Sequence, residues 1–135
     1  MSWKFNGNIV TEENTPESAV GFVYKIVHIP TGKFYIGKKS LTSTRRLKPL
    51  KGKVRKRVVR KASDWEKYYS SNEWIKEQIK EGKSDEFARI IIQFCFSKKS
   101  LTYWEVWWQF KEDVLNNSLS INENIIGKFF RKDIY

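Results

Sequence analysis

The sequence predicts a mixed α/β (α+β) sandwich, a central antiparallel sheet of about three strands flanked by helices. Three observations predict it. A β-branched and aromatic run at Val20–Ile29 is followed by Pro30-Thr31-Gly32 and a second short run, Lys33–Gly37, the pattern of a hairpin. A continuous apolar run, Phe87–Phe96, has the length and isoleucine content of a buried strand. Helical spacing over Ser100–Asn116 puts Trp104, Trp107 and Trp108 on one face, more readily a core stripe than a base-stacking platform.

The remaining elements follow in order. Residues 1–19 read as an N-terminal arm, in which Asn6–Ser18, polar and containing Pro16, form a loose arm or a capping segment. Residues 20–135 are expected to form one domain with its own core, as suits a chain of 135 residues. A basic insertion occupies about 45–62: between Arg45 and Lys61 there are ten Lys or Arg and no acid. Pro49 and Gly52 mark its first half as a loop, while Val54, Val58 and Val59 allow order in the second. Asp64–Lys80 reads as helical in its later part, with Asn72 as N-cap, Glu73 in the first turn and Gly82 at the stop. Ile121–Phe130 reads as a turn and a short final helix.

The net charge is +11, from 26 Lys and Arg against 15 Asp and Glu. Clustered as it is, that excess points to a phosphate polyanion as partner. The hydrophobic share of 40% excludes a disordered chain. Cys95 is the single cysteine, so no internal disulfide or zinc knuckle is possible, and a core thiol in a reducing compartment is expected. Met1–Asn8 carries no apolar signal region and no stretch suits a bilayer span. The expected location is cytoplasmic (host cytoplasm for a viral protein), without a membrane partner. His28, the sole histidine, is expected at the surface before a turn, which leaves no second histidine for a Ser-His or Cys-His nucleophile.

Gly21–Lys38 reads GFVYKIVHIPTGKFYIGK, with Tyr24 and Tyr35 on successive strands and Tyr35-Ile36-Gly37 intact. Two cross-strand tyrosines are ordinary in a hairpin. Together with the residues that follow, however, this stretch resembles the signature of the GIY-YIG nuclease family. The first half departs slightly, with Gly21 one position earlier than a strict G-I-Y. The resemblance spans about residues 20 to 128. It implies a metal-dependent DNA endonuclease, of a stand-alone, phage or homing type, with Mg²⁺ or Mn²⁺ as cofactor.

The resemblance also implies site residues. Tyr24 would be the general base and Tyr35 would help to place water. Arg45, with Arg46 as alternative, would stand at the start of a helix and stabilise the transition state. Glu105 would hold the metal, and Asn122, with Asn124 as alternative, would order the site. Chemically the set is coherent. A phenol with a pKa near 10 acts as a base only if cations lower that value, and Lys25, Lys33, Lys38 and Arg45 are expected to do so. An arginine fork stabilises the negative charge of the pentavalent state. One carboxylate suffices for Mg²⁺, which keeps most of its water. Two of these residues also have local readings. Thr102-x-x-Glu105 matches a capping box, and Asn122 matches an N-cap or turn residue before Glu123.

Lys33 and Lys38 are expected to touch phosphate, and Arg46, Lys53, Arg55, Lys56, Arg57, Arg60 and Lys61 to clamp double-stranded DNA through sequence-independent contacts. A catalytically silent nucleic-acid-binding module would use the same charge, as would a small RNA-binding protein. The sequence carries no signal of oligomeric state.

Overall fold

The computed structural model describes residues 1–47, 51–52 and 57–134, and only the backbone of 44–47 and 57–61. In chain order the elements are β1 (Trp3–Phe5), β2 (Asn8–Ile9), β3 (Gly21–His28), β4 (Phe34–Ser40), β5 (Thr42–Leu47), β6 (Arg57–Ala62), α1 (Glu73–Lys80), β7 (Phe87–Cys95), α2 (Lys98–Lys111), β8 (Asn124–Ile125) and β9 (Phe129–Phe130). The expected α/β sandwich is present. Its sheet has five strands rather than three, in the order β2-β1-β7-β3-β4. It is mixed rather than antiparallel, because β1 runs parallel to β7.

The hairpin forms as expected. β3 and β4 pair antiparallel with Tyr24 opposite Gly37 and Ile26 opposite Tyr35. Gly32 turns the chain at φ 75°, a conformation that glycine adopts without cost. β3 also pairs with β7, and the register slips at Val23/Tyr24. Such a bulge re-aims a side chain, and here it lies at the first tyrosine.

Alternation along β3 and β4 sends side chains to two cores. One face carries Phe22, Tyr24 and Ile26, which pack with Trp3, Trp65 and Ile75 of α1. The other carries Val23, Phe34 and Ile36, which pack with Cys95 and Leu101 of α2. Gly21 lets α2 come close: a Cβ there would meet Leu101 Cδ2 and the Lys39 carbonyl at 2.6 Å each. α1 has the cap expected of it, with the Asn72 side chain accepting from the Ile75 N–H at 3.1 Å. Cys95 is the buried core thiol anticipated, and burial raises its pKa.

Four expectations are corrected. Trp3–Ile9 is not a loose arm. Trp3 is 1% exposed, donates from Nε1 to the Trp65 carbonyl at 2.7 Å, and stacks edge-on against Phe22 and Tyr24. The polar residues around this three-residue strand hid it in the sequence. Arg45–Leu47 lie in a strand of the β5–β6 hairpin rather than in a loop. Ile121–Phe130 contains the β8–β9 hairpin rather than a helix, since Ile126 (φ 50°) and Gly127 (φ 66°) take left-handed conformations that a helix excludes. His28 is buried rather than at the surface, held by Thr31 Oγ1 at 2.7 Å and by Glu86 Oε1 at 3.0 Å. Among the described residues no helix is long and apolar enough to cross a membrane.

Candidate active site

β4 is an edge strand, and its outward backbone groups need partners from elsewhere in the chain. They find them at alternate positions. The Phe34 N–H donates to the Leu119 carbonyl at 2.9 Å. The Ile36 N–H donates to Asn122 Oδ1 at 3.0 Å, and the Ile36 carbonyl accepts from Asn122 Nδ2 at 2.9 Å and from Gln109 Nε2 at 3.0 Å. The Lys38 backbone amide lies near the Glu105 carboxyl and helps to lower its pKa. One edge therefore gathers side chains from α2 and from the segment after it.

The result is a cavity of about 290 Å³ whose walls include Tyr35, Glu105, Gln109, Asn122 and Glu123. Of the residues expected at the site, Tyr35, Glu105 and Asn122 meet here, and the alternative Asn124 lies in the same wall. Asn122 is 2% exposed and its side chain is committed to Ile36, so its part is to position the YIG strand. Arg131 fixes the segment that carries it, donating to the carbonyls of Val114, Leu115, Ser120 and Asn122.

Glu105 sits on α2, which begins at Lys98 with Ser97 as its N-cap. Thr102 is thus well inside the helix and cannot form the capping box its spacing allowed. Its Oγ1 accepts from Lys38 Nζ at 2.8 Å instead. Burial pushes the Glu105 carboxyl above its usual range, while the charge and the amide of Lys38 pull the other way.

Tyr24 and Tyr35 share one face of the hairpin, with ring centroids 6.2 Å apart. Gly37 makes this possible, because a Cβ there would stand 2.6 Å from Tyr24 Oη and 3.0 Å from Tyr35 Cε1. The two phenols differ in access. Tyr35 is half-buried and reaches Ser71 Oγ at 3.2 Å. Tyr24 is 1% exposed, and its Oη lies 3.4 Å from that of Tyr68. The lowered tyrosine pKa expected from nearby cations is not found. Burial raises Tyr24 well above its ordinary value, with Tyr68 and Tyr35 adding to the effect, and burial also raises Tyr35. The lysines expected to lower it point elsewhere: Lys25 lies over Phe34, Lys33 over Trp74, and Lys38 on Thr102.

Arg45 does not open a helix. It lies in β5 opposite Val59, and Arg46 lies opposite Val58. Arg57, Arg60 and Lys61 belong to the partner strand β6, while Lys53, Arg55 and Lys56 lie outside the described residues. Sequence reasoning missed Gln109, Glu123, Ser71 and Tyr68. Gln109 had a signal, since it falls one helical turn after Glu105 on the same face. Tyr68 had none, because its loop is held by the buried Arg89, whose Nη1 donates to the Glu66 and Tyr68 carbonyls at 2.8 and 2.9 Å.

A hard dication fits this cavity. Its walls present a desolvated carboxylate and neutral side-chain oxygens, the donors that Mg²⁺ and Mn²⁺ prefer. Among the described residues no group of three or more His, Cys, Asp or Glu side chains gathers. The cavity's carboxylates are those of Glu105 and Glu123, so an ion there would be completed by neutral oxygens and water.

Residues 3–134 match a family model described as "Putative endonuclease segE, GIY-YIG domain". Comparison with curated proteins and with solved structures finds no match. With nearly its whole length matched and its YIG strand, glutamate and asparagine joined at one cavity, the chain belongs to the SegE-type GIY-YIG endonuclease family.

Proposed function

We propose that this protein is an endonuclease that hydrolyses phosphodiester bonds in double-stranded DNA with a Mg²⁺ or Mn²⁺ ion held at Glu105. The observation that carries the reading is the convergence of Tyr35, Glu105 and Asn122, from three separate segments, on one cavity at the sheet edge.

Roles follow from access and chemistry. Tyr35, oriented by Ser71, offers its phenol to the cavity and holds the attacking water. Tyr24, enclosed and protonated, fixes the Gly37 stretch from behind rather than acting as the base. Asn122 and Arg131 hold the YIG strand in place. Lys38 offsets part of the burial penalty on the Glu105 carboxylate. Arg45 or Arg46, on the hairpin that follows β4, supplies the fork that stabilises charge on the phosphate. A bound dication would add positive charge at the phosphate oxygens and acidify its own water.

A second, larger cleft of about 790 Å³ lies at the start of α2, lined by Lys39, Ser40, Ser63, Ser97 and Lys98. Asp64 in the same wall is paired with Lys39 at 2.6 Å, which leaves Lys98 to meet phosphate. On α2, Lys98, Thr102, Glu105 and Gln109 fall on one face, so Lys98 stands roughly 10 Å from Glu105 along the helix at about 1.5 Å per residue, a spacing over which one DNA strand could meet both. The basic β5–β6 hairpin then extends the phosphate-binding surface.

A DNA-binding module without turnover is favoured by one observation, the raised pKa of both tyrosines. Matched duplex DNA, single-stranded DNA and RNA incubated with Mg²⁺ and with EDTA separate the readings. Cleavage of the duplex in Mg²⁺ alone supports the nuclease. A gel shift without cleavage under every condition, Mn²⁺ included, supports the binding module.

A further inference from the structure

We propose that Gln109 supplies a second protein oxygen to the metal site, so that the ion is held by a Glu105/Gln109 pair one helical turn apart on α2. The inference rests on the metal-dependent reading above.

Positions i and i+4 of a helix stand about 5–6 Å apart at Cβ, within reach of one cation for two long side chains. Gln109 is 5% exposed and walls the same cavity as Glu105 and Tyr35. Its Nε2 donates to the Ile36 carbonyl at 3.0 Å. Its Oε1 has no hydrogen-bond partner, the one buried side-chain polar atom so left among the described residues. Buried polar atoms are almost always satisfied, and an orphan in a functional cavity marks the place of a water or an ion.

Turning the amide over does not remove the orphan. The Ile36 carbonyl only accepts, so the amide nitrogen must face it and the oxygen must face away. The side chain also borders a second, smaller cavity of about 100 Å³, whose walls include Val114, Leu115, Ile125, Asp113 and Asn116. That lining is mostly apolar, and its one side-chain amide, Asn116, already donates to Asp113 Oδ1 at 2.8 Å. The cavity shared with Glu105 and Glu123 is the polar one, and a neutral amide oxygen beside a carboxylate is a ligand set that Mg²⁺ and Mn²⁺ accept. Since Gln109 also grips Ile36, next to Tyr35, an ion held by its oxygen would fix the YIG strand as well.

The fold tolerates the test, because the Ile36 carbonyl keeps a second donor in Asn122 Nδ2 when Gln109 is changed. Mn²⁺ binding to the full chain without DNA, followed by electron paramagnetic resonance of the free ion, is compared for wild type, Gln109→Leu and Gln109→Glu, with thermal melting of each. Wild type is expected to bind one Mn²⁺. Gln109→Leu is expected to bind it about 10- to 100-fold more weakly with its melting temperature little changed. Gln109→Glu, which keeps an oxygen facing the cavity, is expected to retain more Mn²⁺ affinity than Gln109→Leu, with an affinity that rises with pH as the new carboxylate ionises. Equal Mn²⁺ affinity in wild type and both variants overturns the proposal and assigns the oxygen to an ordinary buried water. A wild type that binds no Mn²⁺ and cuts DNA in EDTA overturns the metal-dependent reading itself.

Discussion

Asn122 grips Ile36 through both its backbone groups, accepting from its N–H at 3.0 Å and donating to its carbonyl at 2.9 Å. A side-chain amide thereby continues a sheet that has run out of strands. It also ties the last quarter of the chain to the residue between Tyr35 and Gly37. Asn122→Ala should cost about 2 kcal/mol, because the Ile36 N–H loses its partner in a buried place. Urea unfolding measures that loss, and DNA cleavage should fall with it as the YIG strand loosens.

The two tyrosines are expected to separate by substitution. Tyr24→Phe gives up one long hydrogen bond to Tyr68 and keeps the packing, so cleavage should stay within about tenfold of wild type. Tyr35→Phe removes the phenol that faces the cavity and should reduce single-turnover cleavage by about 10² to 10⁴. The reverse ranking would return the base to Tyr24.

Gly37→Ala puts a methyl group where Tyr24 Oη and Tyr35 Cε1 already stand. Overpacking of this kind costs about 1–3 kcal/mol and should move both rings. A lower melting temperature together with altered tyrosine fluorescence checks it.

The proposed role of Glu105 implies an acid limit on metal binding, and its burial carries a stability penalty of definite sign. Burial raises its folded pKa, so the folded metal-free protein binds a proton more tightly than the unfolded chain does. Its contribution to stability is full below the ordinary carboxyl range and is lost as pH rises through the raised folded value. Glu105→Gln should therefore melt higher than wild type at neutral pH without metal, and the difference should vanish in acid. Mn²⁺ binding by wild type should weaken over that same range as pH falls, since the ion competes with the proton.

Much of this architecture was legible in the sequence, for identifiable reasons. The β3–β4 hairpin, β7, α1 and α2 declare themselves by period and by cap, as Asn72 and Gly82 do for α1. Of the candidate site residues, Tyr35, Glu105 and Asn122 line one cavity. What stayed hidden depends on tertiary partners. β1 is three residues long and becomes a strand only because Trp3 finds Trp65, Phe22 and Tyr24. The fate of Tyr24 turns on burial by Tyr68 and Trp3, which sequence spacing does not encode. The β5–β6 pairing lies within a run of like charges that reads as a loop.

The most direct test of the whole account is nicking of supercoiled plasmid by wild type and Glu105→Ala under single-turnover conditions, with Mg²⁺ and with EDTA. The account predicts nicked or linear DNA from wild type in Mg²⁺, none in EDTA, and a loss of about 10³-fold or more in Glu105→Ala, the size expected when several kcal/mol of transition-state stabilisation are removed. Cleavage by Glu105→Ala at the wild-type rate, or cleavage undiminished by EDTA, would contradict it.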